Sequence, residues 1–135
     1  CPDLSTIATY AKVDNDTFKM LKRNLPGPFT FLLNASGKIP DKFLEKKKTV
    51  GVRIPDNAIP MALVEELGHP MVTASVKDSD EEEYTTDPSL IAERYGNAVD
   101  AIVDGGYGNN IPTTIVDCTD PEETVIVREG IGILQ

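Results

Sequence analysis

Residues 15–25 and residues 29–33 follow different periodicities, and Pro26-Gly27-Pro28 separates them abruptly. In the first stretch Phe18, Leu21 and Leu25 recur at helical spacing, with Lys19, Lys22 and Arg23 on the other side and Asp14 placed to cap the start. Proline and glycine then end the helix. The run that follows, Phe29 to Leu33, is apolar and aromatic and reads as a buried strand. A helix that must turn at once into a strand confines the chain to folds in which helices pack on a sheet.

The same alternation continues. A short helix from about Leu4 to Ala11, capped by Asp3 or Ser5, opens the chain. A loop and short helix around Asp41 to Lys48 precede a strand from Thr49 to Ile54. Ile59 to Leu67 reads as a helix packed against the sheet and stopped by Gly68. Asp87-Pro88 marks a cap with proline in the first turn of a helix that runs to Tyr95. Further strands are expected over Pro70–Val76, Ala101–Asp104, Thr113–Cys118, Val125–Arg128 and Ile131–Leu134. The last of these follow one another through short links, which predicts an α/β (mixed α+β) domain, 1–135, with a twisted mixed sheet and flanking helices.

Composition narrows the function classes. No apolar run approaches the ~18–20 residues of a bilayer span, and no basic-then-apolar leader is present, so a cytoplasmic protein without a membrane partner is expected. Cys1 and Cys118 lack metal-ligand or redox spacing, which suits reduced thiols. The formal charge of -9 works against nucleic-acid binding unless basic residues gather on one face. About half of that excess lies in Asp78, Asp80, Glu81, Glu82 and Glu83, a run that reads as a solvated loop. The chain begins at Cys1 rather than methionine and reads as lacking an N-terminal part.

His69 is the only histidine, so a histidine triad or a two-histidine metal site cannot form within this chain. Gly105-Gly106-Tyr107-Gly108-Asn109-Asn110 has the composition of a phosphate cradle, but no helix follows it, and it reads as a flexible turn. More informative are polar residues inside apolar strands. Alternation sets Thr49, Gly51 and Arg53 on one face of their strand, and Thr73 and Ser75 repeat the pattern. Thr113 and Thr114 open another strand, and Arg128 closes the next. Arginine is rarely buried unpaired, and its planar fork suits carboxylate or phosphate. Two arginines with strand hydroxyls therefore point to a pocket for a small anion, a nucleotide phosphate or an amino-acid carboxylate.

Five segments in this order resemble the YrdC/YciO family of threonylcarbamoyl-adenylate synthases: Leu25-Pro26-Gly27-Pro28-Phe29-Thr30-Phe31-Leu32-Leu33, Thr49-Val50-Gly51-Val52-Arg53-Ile54-Pro55, Pro70-Met71-Val72-Thr73-Ala74-Ser75, Pro112-Thr113-Thr114-Ile115-Val116-Asp117 and Val127-Arg128-Glu129-Gly130. The resemblance implies a YrdC/RibB-like fold around a concave, positively charged cavity. It also implies an activity in which threonine, bicarbonate and ATP form threonylcarbamoyl-adenylate and pyrophosphate, a nucleotidyltransferase step in transfer-RNA modification. Carried over by position, Thr49, Thr73, Ser75 and Arg128 would meet the nucleotide, while Arg53 and Thr113 would hold L-threonine. ATP, with Mg²⁺, enters as a substrate, and no tightly bound cofactor or protein nucleophile is expected.

The family's Lys-x-Arg motif and Thr-rich first strands lie upstream of what matches Cys1, so this chain alone is expected to be inactive. Its Ser-x-Ser-Ala-Asn stretch reads Thr73-Ala74-Ser75-Val76-Lys77 here, which resembles the YciO branch. The alternative the resemblance implies is a non-catalytic protein that binds double-stranded RNA or tRNA, with Lys46, Lys47 and Lys48 against the phosphates.

Overall fold

Short-range caps fix the helices. In the computed structural model, which describes residues 1–44, 47–76, 86–108 and 111–135, the Asp3 carboxylate accepts from the Thr6 amide at 2.7 Å and starts α1, Leu4–Tyr10. Asp14 accepts from the Thr17 amide at 2.8 Å and starts α2, Asn15–Asn24. Asn57 caps α3, Ala58–Leu67, which ends at Gly68 with φ 77, a left-handed position that glycine occupies without strain. Asp87 caps α4, Pro88–Tyr95. A single 3-10 turn covers Asp41–Phe43.

The strands are β1 Ala11–Lys12, β2 Phe29–Ala35, β3 Thr49–Val52, β4 Thr114–Asp120 and β5 Glu123–Arg128. They form one mixed sheet. β2 pairs antiparallel with β1 and β3 and parallel with β4, and β5 closes antiparallel on β4. The mixed α/β architecture expected from the sequence is present.

The described residues divide into two compact units, one of Cys1–Met71 with Pro112–Gln135, the other of Val72–Ile111. The first unit holds the sheet. Ile7 and Ala11 from the chain's start, Leu21 from α2 and Leu25 just after it cover one face, against Phe29, Phe31, Leu33, Val52, Val116 and Cys118. β2 is not buried throughout, as its composition suggested. Phe29, Phe31 and Leu33 are buried while Thr30, Leu32 and Asn34 are half-exposed. The opposite face of the sheet is therefore open among the described residues.

The tail after β5 is tied to this unit. The buried Thr114 hydroxyl donates to the Gly132 carbonyl at 2.6 Å and accepts from the Gly130 amide at 3.0 Å. At the far end the Gln135 amide donates to the Asn24 side chain at 2.8 Å.

Four expectations are corrected. Pro70–Val76, Ala101–Asp104 and Ile131–Leu134 are extended but form no strand ladder. Val72 is 77 % exposed, Val103 61 % and Ile133 80 %, so their β-branched character is met by no partner strand among the described residues. α3 buries only Val64 fully, and Ile59, Leu63 and Leu67 line an exposed side of it.

In the second unit Gly106 adopts φ 89 and donates to the Asp104 carboxylate, while Tyr107 is exposed. Asn109 and Asn110, and the acidic run Asp78 to Glu83, lie outside the described residues. No helix of the described residues is long and apolar enough to cross a membrane.

Candidate functional site

Registers decide which polar residues share the open face. β2 and β3 pair Phe31 with Val52 and Leu32 with Gly51, so one step beyond the end of β3 Arg53 stands level with Thr30. Burial agrees: Val52 and Ile54 are buried and Arg53 between them is exposed. On the other side of β2, Thr30 is level with Ile115 of β4, and Ile115 with Arg128 of β5. Arg53, Thr30, Ile115 and Arg128 thus form one row across the sheet. Strand spacing puts the two arginine Cα atoms roughly 14 Å apart, a span that two long side chains and one small anion can bridge. The two guanidinium-bearing residues belong to the same face.

Arg128 is held in place rather than free. Its Nε and Nη2 both donate to the Thr113 carbonyl, at 3.1 and 2.8 Å, and Nη2 also reaches the Thr113 hydroxyl at 3.3 Å. This fork leans the guanidinium toward the centre of the row and leaves the two Nη1 hydrogens unbonded among the described residues. Thr113 in turn shares a 2.8 Å hydrogen bond with the Thr30 hydroxyl. Arg53 has no side-chain hydrogen bond among the described residues, while its carbonyl accepts from the Cys1 nitrogen at 2.8 Å.

Gly51 lies between Thr49 and Arg53 on this face. A Cβ there would stand 3.2 Å from the Thr30 methyl and 3.5 Å from a Leu32 methyl. The space that a side chain at Gly51 would need is taken by these two methyl groups.

The other predicted residues fall elsewhere. Thr49 lies on the same face but four residues along β3 from Arg53, level with Asn34. That is roughly 13 Å away at the rise of a strand. Thr114, considered beside Thr113, points to the core and serves the tail. Thr73 and Ser75 are exposed in the second unit.

Lys46 lies outside the described residues. Lys47 is exposed and acts on Asp117, whose carboxyl is held below its ordinary value by hydrogen bonds from Thr119 and, to a smaller extent, by this lysine. Lys48 is exposed with φ 53. His69 is an exposed turn residue whose Nδ1 donates to the Pro70 carbonyl at 2.8 Å. The sequence reading missed Thr30, although its place between two phenylalanines in an alternating strand marks the face opposite the core.

Among the described residues no three histidine, cysteine or acidic side chains gather as metal ligands. A surface cleft of about 460 Å³ is lined by Leu4, Phe18, Leu25, Ile54 and Met61 among others and contains none of the predicted site residues. It is an apolar groove on the helix-covered side. Arg53 and Arg128 lie instead on the opposite face of the sheet.

The family model Sua5_yciO_yrdC, described as telomere recombination, matches residues 1–130. Escherichia coli YciO, itself named as uncharacterized, is 44 % identical over 133 residues, covering 98 % of this chain and 64 % of its own length. Its crystal structure superposes with a TM-score of 0.92 at 43 % identity, covering 100 % of this chain and 66 % of that one. A threonylcarbamoyl-AMP synthase of Pyrococcus abyssi is 28 % identical over 120 residues, 88 % of this chain and 35 % of its own length. The crystal structure of P. abyssi Sua5 complexed with L-threonine matches with a TM-score of 0.83 at 27 % identity, covering 95 % of this chain and 38 % of that one. The chain therefore spans just under two thirds of the length of YciO and a smaller share of the synthase.

Proposed function

This chain belongs to the Sua5/YciO/YrdC family, and on that premise we propose that the open face of its sheet binds L-threonine and ATP for the synthesis of threonylcarbamoyl-adenylate. The observation that carries the reading is the row that sets Arg53 and Arg128 on one face with Thr113 and Thr30 between them. Arg53 offers an uncommitted guanidinium to the threonine carboxylate. Arg128, braced on the Thr113 carbonyl, offers Nη1 to a phosphate. A donor braced as Arg128 is favours an anionic ligand because it needs little reorganisation when the ligand arrives.

In the proposed reaction the threonine nitrogen takes up bicarbonate as a carbamate, with loss of water. A carbamate oxygen then attacks the α-phosphorus of ATP and pyrophosphate leaves. The reacting groups come from the substrates, so the chain's part is to bind and orient them. With no acidic cluster among the described residues, a Mg²⁺ ion that accompanies ATP would be held mainly by phosphate oxygens and water. Thr49 is proposed as a further nucleotide contact. Thr73 and Ser75 keep that role only through the family resemblance and carry none of the argument.

Isothermal titration of the complete encoded protein with L-threonine and with ATP tests the reading, together with pyrophosphate release when bicarbonate is added. Binding of both ligands supports it; no heat with either and no pyrophosphate refutes it.

The competing proposal is RNA binding through Lys46, Lys47 and Lys48. It has less support, since Lys47 faces Asp117 and the chain carries a net charge of -9. It requires an affinity for double-stranded RNA that falls steeply with salt.

A further inference from the structure

Thr30 is the one hydroxyl residue of the row to which neither the strand patterning nor the family resemblance gives a role. Its two side-chain branches are sorted between the neighbouring strands. The methyl lies by Gly51 of β3, where an added Cβ would come within 3.2 Å, and the hydroxyl is 2.8 Å from the hydroxyl of Thr113, the residue before β4. The absence of a side chain at Gly51 is what gives the methyl its place.

Hydrogen counting then limits what the pair can do. A guanidinium only donates, so the Thr113 oxygen accepts from Arg128. The two hydroxyls own two hydrogens. One bridges them, whichever residue supplies it. The other has no protein acceptor among the described residues. It belongs to the Thr30–Thr113 pair, one of whose oxygens accepts from the Arg128 guanidinium.

We propose that Thr30 is a positioning residue that orients the Thr113 hydroxyl, so that the pair delivers one O–H hydrogen to a carboxylate oxygen of the amino-acid ligand beside Arg128. The inference rests on the reading of this face as the L-threonine site and adds to it the residue that sets the donor's direction. Without the Thr30 hydroxyl, the Thr113 hydroxyl keeps only its bond from Arg128 and rotates among several positions.

The test uses the complete encoded protein and L-threonine titrations. Thr30→Val keeps the shape and removes the hydroxyl. It is expected to weaken L-threonine binding about 3- to 10-fold, the scale of one hydrogen bond. Thr30→Ser restores the hydroxyl and is expected to stay within about 2-fold of wild type on the same scale. Because the residue acts through Thr113, adding Thr30→Val to Thr113→Val should cause no further loss.

Gly51→Ala, which crowds the Thr30 methyl and leaves both hydroxyls in the sequence, should weaken binding in the same direction. It decides the matter if Thr30→Val does not fold. Wild-type affinity in Thr30→Val, additive losses in the double variant, or wild-type affinity in Gly51→Ala when Thr30→Val does not fold overturns the role of Thr30 while leaving the site reading intact. If the wild-type protein itself binds no L-threonine, the site reading fails and this inference falls with it.

Discussion

On one side of the sheet Phe31, Leu33 and Val116 are fully buried under α1 and α2, and Phe29 is nearly so. On the other side Thr30, Asn34, Ile115 and Asp117 from the same two strands remain half-exposed; Thr30 bonds the Thr113 hydroxyl, Asn34 donates to the Thr119 carbonyl, and Asp117 accepts from Thr119. β2 and β4 therefore serve both sides at once, with a period of two deciding which residue does which. The neighbours Thr113 and Thr114 show the division most sharply. One braces Arg128 on the open face, and the other disappears into the core to tie the tail to β4. Residue type alone does not separate them; the strand's phase does.

If the two faces are separable, their variants should fail in different assays. Phe31→Ala, at a fully buried position of the central strand, is expected to destabilise the complete protein by about 3–5 kcal/mol. Denaturant unfolding measures this, and whatever folded protein remains should bind L-threonine with unchanged affinity. An affinity loss larger than the unfolded fraction explains would show that the faces are coupled.

The helices and the central strands were legible in the sequence because their signals are local. Asp3, Asp14 and Asp87 announce their helices within three residues, and Pro26-Gly27-Pro28 separates α2 from β2. A strand is a property of a pair, and there the sequence reading went too far. Met71-Val72-Thr73 and Ala101-Ile102-Val103 have the β-branched character of strands, yet no partner forms a ladder with them among the described residues. The two-residue β1 has too little sequence to show a pattern.

For the site, alternation within β3 was enough to place Thr49, Gly51 and Arg53 together. The level of Arg53 with Thr30, and of Thr30 with Ile115 and Arg128, depends on registers between distant segments. Thr30 and Thr113 are 83 residues apart, and nothing in either segment names the other.

A smaller effect sharpens the contrast between the neighbouring threonines. Thr114→Val leaves the Gly130 amide and the Gly132 carbonyl without their buried partner, and should lower stability by about 1–3 kcal/mol. Thr113→Val should change stability by less than about 1 kcal/mol and weaken ligand binding instead. Thermal melts and titrations run on the same two samples would expose any exchange of these roles.

The smallest effect is one of pH. Burial, with Asp117 and Asp14 adding to it, pushes the Cys118 thiol up to about 11 from an ordinary 9.0. The folded state thus favours the protonated thiol. Its contribution is complete below pH 9 and is lost as pH rises toward 11. At neutral pH a thiol reagent should modify Cys118 far more slowly than the partly exposed Cys1. Equal rates would mean that the core beside β4 is more open than its packing indicates.

The proposed site requires that Arg53 and Arg128 serve ligands on one face of one sheet. Titrations of L-threonine and ATP into Arg53→Ala and Arg128→Ala proteins test it most directly, with unfolding curves as the control. The claim predicts a loss of about 10- to 100-fold in L-threonine affinity for Arg53→Ala and in ATP affinity for Arg128→Ala, with each protein still folded. Wild-type affinity for both ligands in either folded variant would contradict it.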